Sequence, residues 1–324
     1  MRAAIPKREG LTGSVRAAAV AVLAEVRRRP WLHDIIHAIA VQLAKLPIGA
    51  RMIKSVIEPQ YLSEDEYMTW ALTYDSLTEA DRDEIRAHIE TFAYRPLISV
   101  VMPAYDTDPW LLREAINSVK GQLYQNWELC IADDASPGER TWNILRQAAK
   151  DDPRIKVVRR PVNGHISAAS NSALELAIGD FVALLDHDDL LPQHALYEVA
   201  AELQLHPDAD IIYSDEDKVD ITGRRYEPHF KTDWNPELLL SQNMISHLGV
   251  YRRSLVQQVG GFREGFEGSQ DYDLTLRVAE LTTADRIRHI PAILYHWRQQ
   301  AGPGSFSETD LERCGAAAQV GFGK

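Results

Sequence analysis

The chain has 324 residues, with 35 Lys and Arg against 47 Asp and Glu, for a formal net charge of -12; so acidic a balance argues against nucleic acid as the main partner, because phosphate binding calls for clustered Lys and Arg. Its only cysteines, Cys130 in an apolar run and Cys314 near a polar tail, suggest neither a disulfide framework nor a cysteine zinc site. There is length enough for a substantial core, but no signal-peptide pattern and no uncharged apolar run of about 18 residues, so a cytoplasmic chain that does not span a membrane is expected.

In chain order, residues 1–54 come first and hold ten Lys and Arg against three acids, which leaves about -19 for the remainder. Two helical segments, SVRAAAVAVLAEVRRR and WLHDIIHAIAVQLAKL, lie in this basic arm. They suit peripheral contact with the anionic inner face of the cytoplasmic membrane, or packing on their own body or a second subunit. A helical connector follows over residues 61–95, where Thr78 precedes acidic first-turn residues as an N-cap does. The helical N-terminal extension is thus residues 1–93, the main domain residues 94–300, and a short tail residues 301–324. Within the main domain short apolar runs alternate with amphipathic stretches, as in LISVVMP then WLLREAINSVKGQ, and DFVALLDHDD then LPQHALYEVAAELQLHP. Such alternation predicts an α/β fold with a Rossmann-like, mostly parallel central sheet flanked by helices.

The ends of the apolar runs are unusually acidic. Open α/β sheets bind ligands at the carboxyl ends of their strands, and there stand PAYD, ADDAS, DHDD and YSDEDK, the last expected where the fifth strand ends. Bunched carboxylates repel one another, and a divalent cation held together with a phosphate would relieve them. No GxGxxG follows the first strand and no GxxxxGK[ST] occurs anywhere, so phosphates must be held without the usual backbone cradles. The spacing Asp186-His187-Asp188 can hold Mg2+ or Mn2+, hard cations that share their coordination with phosphate oxygens. After YSDEDK, the stretch KVDITGRRYEPHFK reads as a hairpin turning at Gly223.

Taken together, PLISVVMPAYD, WELCIADDAS, NGHISAASNSALELAIGDFVALLDHDDLL, DIIYSDEDK, GGFRE, GSQDYDLTLR and LYHWR resemble the family 2 glycosyltransferases, inverting enzymes of the GT-A fold, over roughly residues 94–300. The resemblance implies a nucleotide-sugar donor, a glycan or lipid-linked glycan acceptor in bacterial cell-surface polysaccharide or O-antigen assembly, and Mn2+ or Mg2+ as cofactor. It places Pro103, Ala104 and Tyr105 under the nucleotide base and gives Asp133 a hydrogen bond from the base edge, although Asp133 and Asp134 also suit helix capping. Asn171 and Ser172 would lie over the ribose or diphosphate, or Asn171 would merely face solvent. Asp186 would sit near the ribose and Asp188 on the metal. His187, between them, points to the opposite side of an extended chain, where packing suffices. His296 in LYHWR would complete the metal shell, unless it is a packed core residue.

For the base, the resemblance points to Asp271 in GSQDYDLTLR, with Asp273 structural; both also favour a helix N-terminus. Gln270 stands where the family often has Glu, which rules out a carboxylate pair sharing a proton. Asp215 would touch the donor sugar or the metal's outer shell, or lie in a solvated loop, and Arg252 and Arg253 would neutralise diphosphate or simply lie at the surface. The main alternative is a non-catalytic nucleotide-sugar or glycan-binding module on the same fold, which the presence of both Asp188 and Asp271 disfavours. A nucleotidyltransferase would want a glycine-rich basic loop after the first strand, and PAYDTDPW has neither feature.

Overall fold

The structure, a computed structural model, describes residues 64–298; the two segments of the basic arm expected to be helical and the tail after residue 300 lie outside these residues. The chain divides after Tyr74. The described part of the first unit is a helix, α1 (Glu64–Tyr74), in which Tyr67 and Ala71, one turn apart, are buried.

The second unit contains α2 (Glu79–Glu90), β1 (Ile98–Ala104), α3 (Pro109–Lys120), β2 (Trp127–Asp133), α4 (Arg140–Asp151), β3 (Ile155–Arg159), α5 (His165–Leu174), β4 (Phe181–Leu184) and α6 (Ala195–Leu205). It continues with β5 (Ile211–Val219), β6 (Arg225–His229), α7 (Pro236–Ser241), β7 (Gly249–Arg252), α8 (Arg253–Gln258), α9 (Gln270–Ala279) and β8 (Ile287–Arg298). Thr78 does cap α2: its hydroxyl accepts from the Asp81 amide at 3.2 Å, and the Asp81 carboxylate accepts from the Thr78 amide at 2.8 Å. The helix belongs to the body rather than to a connector ending at residue 93. His88 Nδ1 lies 2.9 Å from the Tyr197 hydroxyl of α6, and Phe92 stacks on the same ring.

The strands form one sheet in the order β3-β2-β1-β4-β7-β5-β6, with β8 also paired to β5. Strands β1 to β4 run parallel, β7 is antiparallel to both β4 and β5, and β8 is parallel to β5. β1 and β2 are buried along their whole length, as parallel strands covered on both faces are. Alternation sends Val100, Met102, Leu129 and Ile131 into one core layer with Leu112 of α3 and Leu196 of α6. Val101, Cys130 and Ala132 go to the opposite layer, with Ala169 and Ala173 of α5.

YSDEDK does not lie past the end of the fifth strand. β5 runs through it, and Asp215, Glu216 and Asp217 are buried in mid-strand. Each has its own partners: His289 Nε2 lies 2.9 Å from Asp215, His247 Nδ1 3.0 Å from Glu216, and Arg225 Nε 2.5 Å from Asp217. Burial of these anions is possible because every one is paired. They are therefore buried, paired groups and not a free carboxylate edge. The hairpin after them turns at Gly223, whose φ of 85° suits a glycine.

Gly179 precedes β4 where the chain passes close to β1: an added Cβ would meet the Leu97 carbonyl oxygen at 2.5 Å and Ser99 Oγ at 2.6 Å. Gly179→Ala is expected to destabilise the fold by about 1–3 kcal/mol, read as a lower denaturation midpoint at unchanged slope. An unchanged midpoint would mean that this contact has room to relax.

Candidate active site

At the carboxyl ends of β1, β2 and β4 lies a cleft of 420 Å3. Pro103, Ala104 and Tyr105 line it from the end of β1, Asp134 from just beyond β2, Asn163 and His165 from the start of α5, and Asp186, His187 and Asp188 from beyond β4. Three backbone positions around it have left-handed φ: Asp106 (43°), Ala135 (57°) and His165 (63°). Strain of this kind, at about 1–3 kcal/mol per residue, persists where the surroundings enforce it and concentrates at ligand sites.

The structure corrects the assignment of Asp133. Its side chain is fully buried, with Oδ1 accepting from the Ser136 amide at 3.1 Å and Oδ2 lying 3.1 Å from Arg159 Nε. The next residue, Asp134, is the one on the cleft wall, held by Arg160 Nε at 2.8 Å and the Gly164 amide at 3.0 Å. A Cβ at Gly164 would lie 2.5 Å from Arg160 Nη2 and 2.9 Å from Ala168 Cβ, so a side chain there would press on the arginine that holds Asp134. Asn171 is likewise not on the cleft: its amide donates to the Phe262 carbonyl and accepts from the Phe262 N–H, both at 2.8 Å, tying α5 to the GGF turn. Ser172 Oγ accepts from Arg160 at 2.7 Å.

The three carboxylates after β4 fall into two roles. Asp189 is 1% exposed and accepts from the Tyr295 hydroxyl and the Arg298 amide, both at 2.6 Å. Burial, and then the charges of Asp188 and Asp186, push its pKa well up. Asp186 and Asp188 face the cleft. Burial raises the Asp186 pKa first, His247 opposes this, and Asp188 and Asp271 add to the rise. His187 Nδ1 is buried without a hydrogen bond, 3.7 Å from Asp188 Oδ1.

Asp186 and Asp188 suit a hard divalent cation. They offer carboxylate oxygens, and no hydrogen bond to the Asp186 carboxylate is found among the described residues. Mg2+-type ions need only one or two protein carboxylates when phosphates and waters supply the rest. Among the described residues no three His, Cys, Asp or Glu side chains gather into a metal cluster. His296, expected to complete the metal shell, has Nδ1 2.5 Å from Asp217 Oδ1, a carboxylate contact that a metal-ligating imidazole commonly makes with its second nitrogen. Alternation along β8 puts Tyr295, bonded to Asp189, on one face and His296 on the other.

Asp271 stands in the first turn of α9, and its Oδ2 accepts from Asn243 Nδ2 at 2.8 Å. Asp273 is buried and bonded to Arg263 Nε at 3.0 Å and Arg277 Nη2 at 2.7 Å. Two carboxylates two residues apart thus have opposite settings, one in an arginine cage and one held by a single neutral amide. Asn243 and His247 were not singled out from the sequence, and Asp134 was named only together with Asp133. Asn163 and Gly164, just before α5, were a visible turn signal, but nothing local marks Asn243.

A sheet whose parallel half ends in a nucleotide-sized cleft closed by an Asp-x-Asp turn, with a further carboxylate on a following helix, defines an α/β protein of the GT-A class. S. aureus TarS residues 1–349, solved in complex with UDP-GlcNAc, is similar in fold, with a TM-score of 0.55 at 22% identity over 69% of this chain and 66% of that one. The chain belongs to glycosyl transferase family 2, whose family model matches residues 99–260. It is 56% identical over 210 residues to y4gI of Sinorhizobium fredii and 40% identical over 241 residues to the O-antigen biosynthesis protein RfbC of Myxococcus xanthus. These matches take in 65% and 74% of this chain but only 23% and 18% of the two relatives' lengths.

Proposed function

We propose that this chain is a divalent-cation-dependent inverting glycosyltransferase domain. It moves a sugar from a nucleoside diphosphate donor, with UDP-sugars the first candidates, to a hydroxyl of a glycan or lipid-linked glycan in cell-surface polysaccharide assembly. The observation that carries the reading is that Asp186 and Asp188 stand on the wall of a cleft at the carboxyl ends of the parallel strands, in a chain matched by the glycosyl transferase family 2 model. Asp271, in the first turn of α9 and held by Asn243, is the carboxylate offered to the acceptor. The name of RfbC supports the polysaccharide setting, and the TarS complex with UDP-GlcNAc supports testing uridine first.

In this mechanism the Asp271 carboxylate takes the proton of the acceptor hydroxyl as that oxygen bonds to the anomeric carbon. The bond from the anomeric carbon to the diphosphate oxygen breaks on the opposite face, and its electron pair leaves with the diphosphate. Asn243 orients the carboxylate through its amide. Asp188, with Asp186 beside it, would hold the cation, which supplies positive charge against the departing diphosphate. Among the described residues no helix is long and apolar enough to cross a membrane; contact of the basic N-terminal segment with an anionic membrane surface is part of the same proposal.

Calorimetric titration with UDP, GDP, dTDP and CMP, each with and without Mn2+, tests the reading. Binding of one nucleotide only in the presence of metal is the expected result. Failure of all four under both conditions would overturn it and favour a binding module for glycan alone.

A further inference from the structure

The loop between α7 and β7 reaches both ends of the proposed reaction centre. Asn243, near its start, holds Asp271. His247, near its end, stacks on Tyr295, with ring centroids 4.4 Å apart and planes 14° from parallel. The Tyr295 hydroxyl donates to Asp189 at 2.6 Å and accepts from the Asp186 amide at 3.2 Å. The imidazole is therefore within a phenol's length of the Asp186 turn, on a loop whose other end sits at Asp271. If the nucleotide fills the cleft and Asp271 is the base, the sugar–diphosphate linkage must lie along this interval.

The ring is held for use from one side only. Nδ1 lies 3.0 Å from Glu216 Oε2 and 3.3 Å from Ser246 Oγ. Nε2 makes no hydrogen bond among the described residues and is not sealed from solvent, the side chain being 22% exposed. Beneath it Glu216 also accepts from the His247 amide at 3.0 Å. Lys231, 3.6 Å from Glu216 and 1% exposed at its side chain, donates to the carbonyls of Ile245 and His247. A buried ion pair is costly to assemble, and this one fixes a short loop that carries two polar side chains to the site. Such rigid support is what a preorganised ligand contact needs.

We infer that His247 is a further residue of the donor site, presenting Nε2 to an oxygen acceptor of the donor beyond the nucleoside, in the sugar–diphosphate segment. The inference rests on the proposed glycosyl transfer. Nδ1–H is committed to the Glu216 carboxylate, so the protonated ring donates from Nε2. Burial draws the imidazole pKa down, but the Glu216 bond, the Glu216 charge and the charges of Asp186 and Asp189 outweigh it and raise the value to about 9. That direction favours the imidazolium at neutral pH, a cation near the carboxylates of Asp186 and Asp189. Its acceptor is a phosphate oxygen or a sugar hydroxyl, and the two are separable by ligand.

The experiment compares wild type, His247→Ala and His247→Gln in the full chain with Mn2+, measuring affinity for UMP, UDP and UDP-GlcNAc and the melting temperature of each protein. With the fold intact, His247→Ala is expected to bind UMP as wild type does and to lose about 10- to 100-fold in affinity beyond it, the worth of one hydrogen bond from a charged group. A loss beginning at UDP assigns the contact to phosphate, and one confined to UDP-GlcNAc assigns it to the sugar. Gln, whose amide nitrogen reaches the Nε2 position, is expected to lose less. Equal affinity of wild type and His247→Ala for all three ligands, or a loss already complete with UMP, would overturn the inference. If wild type itself binds none of the three, the uridine-donor reading fails, and this inference fails with it.

Discussion

Replacing Asp271 with Asn is expected to slow turnover of the nucleotide-sugar donor about a thousandfold while leaving metal-dependent nucleotide affinity unchanged. An amide cannot take the acceptor proton, and general base catalysis typically contributes roughly 10²–10⁴-fold, so a thousandfold loss corresponds to about 4 kcal/mol of barrier. The substitution is nearly isosteric, and the single bond from Asn243 at 2.8 Å can be kept by the Asn carbonyl oxygen, so folding should not confound the result. Steady-state release of the nucleoside diphosphate, beside a calorimetric titration of the same preparation, separates the two effects. Wild-type turnover in a folded Asp271→Asn protein would remove Asp271 from the role of base. Loss of nucleotide affinity instead would show that this carboxylate supports the donor site rather than the proton transfer.

The second large effect is expected at Asp188. Asp188→Asn should weaken nucleoside diphosphate binding in Mn2+ by at least about 100-fold, because outer-shell substitutions at metal sites already cost roughly 10–100-fold and a direct ligand should cost no less. Binding without metal, weak from the outset, should not change. Asp188 is partly exposed on the cleft wall, and its nearest ionic neighbour is His187 at 3.7 Å, so little folding energy depends on it. Stability measured by denaturation should stay within about 0.5 kcal/mol of wild type, as for surface substitutions generally. An Asp188→Asn protein that binds nucleotide with unaltered metal dependence would show that the cation is held elsewhere, and the Asp186-His187-Asp188 assignment would fall.

How far the sequence reaches can be judged from particular residues. Local chemistry was sufficient for the Thr78 cap of α2, the turn at Gly223, the strand that delivers Asp186 and Asp188, and the helix start that carries Asp271. Each of these depends on neighbours within a few positions, where period, capping and turn preferences act. The same reasoning reached the α/β class, since alternating strands and helices leave few ways to cover a sheet on both faces; the GT-A fold was implied only by the resemblance of the assembled motifs.

What the sequence by itself could not decide was which acids remain free. Asp133 and Asp134 are adjacent, both buried and each paired with an arginine, Arg159 and Arg160, yet only Asp134 lines the cleft. Asp189 lies one residue beyond Asp188 but bonds to Tyr295 in β8, more than a hundred positions away. His296 has Asp217, from another strand, as the partner of its Nδ1, a pairing that nothing local announces. Glu216, Lys231 and His247 meet only because β5, the segment after β6 and the loop before β7 come together. Carboxylates have no periodic signature, and the direction of a side chain at a strand end depends on the turn that follows. Their charge is satisfied by whatever cation the tertiary fold brings near, so the paired acids and the free ones became distinguishable only once the sheet had closed.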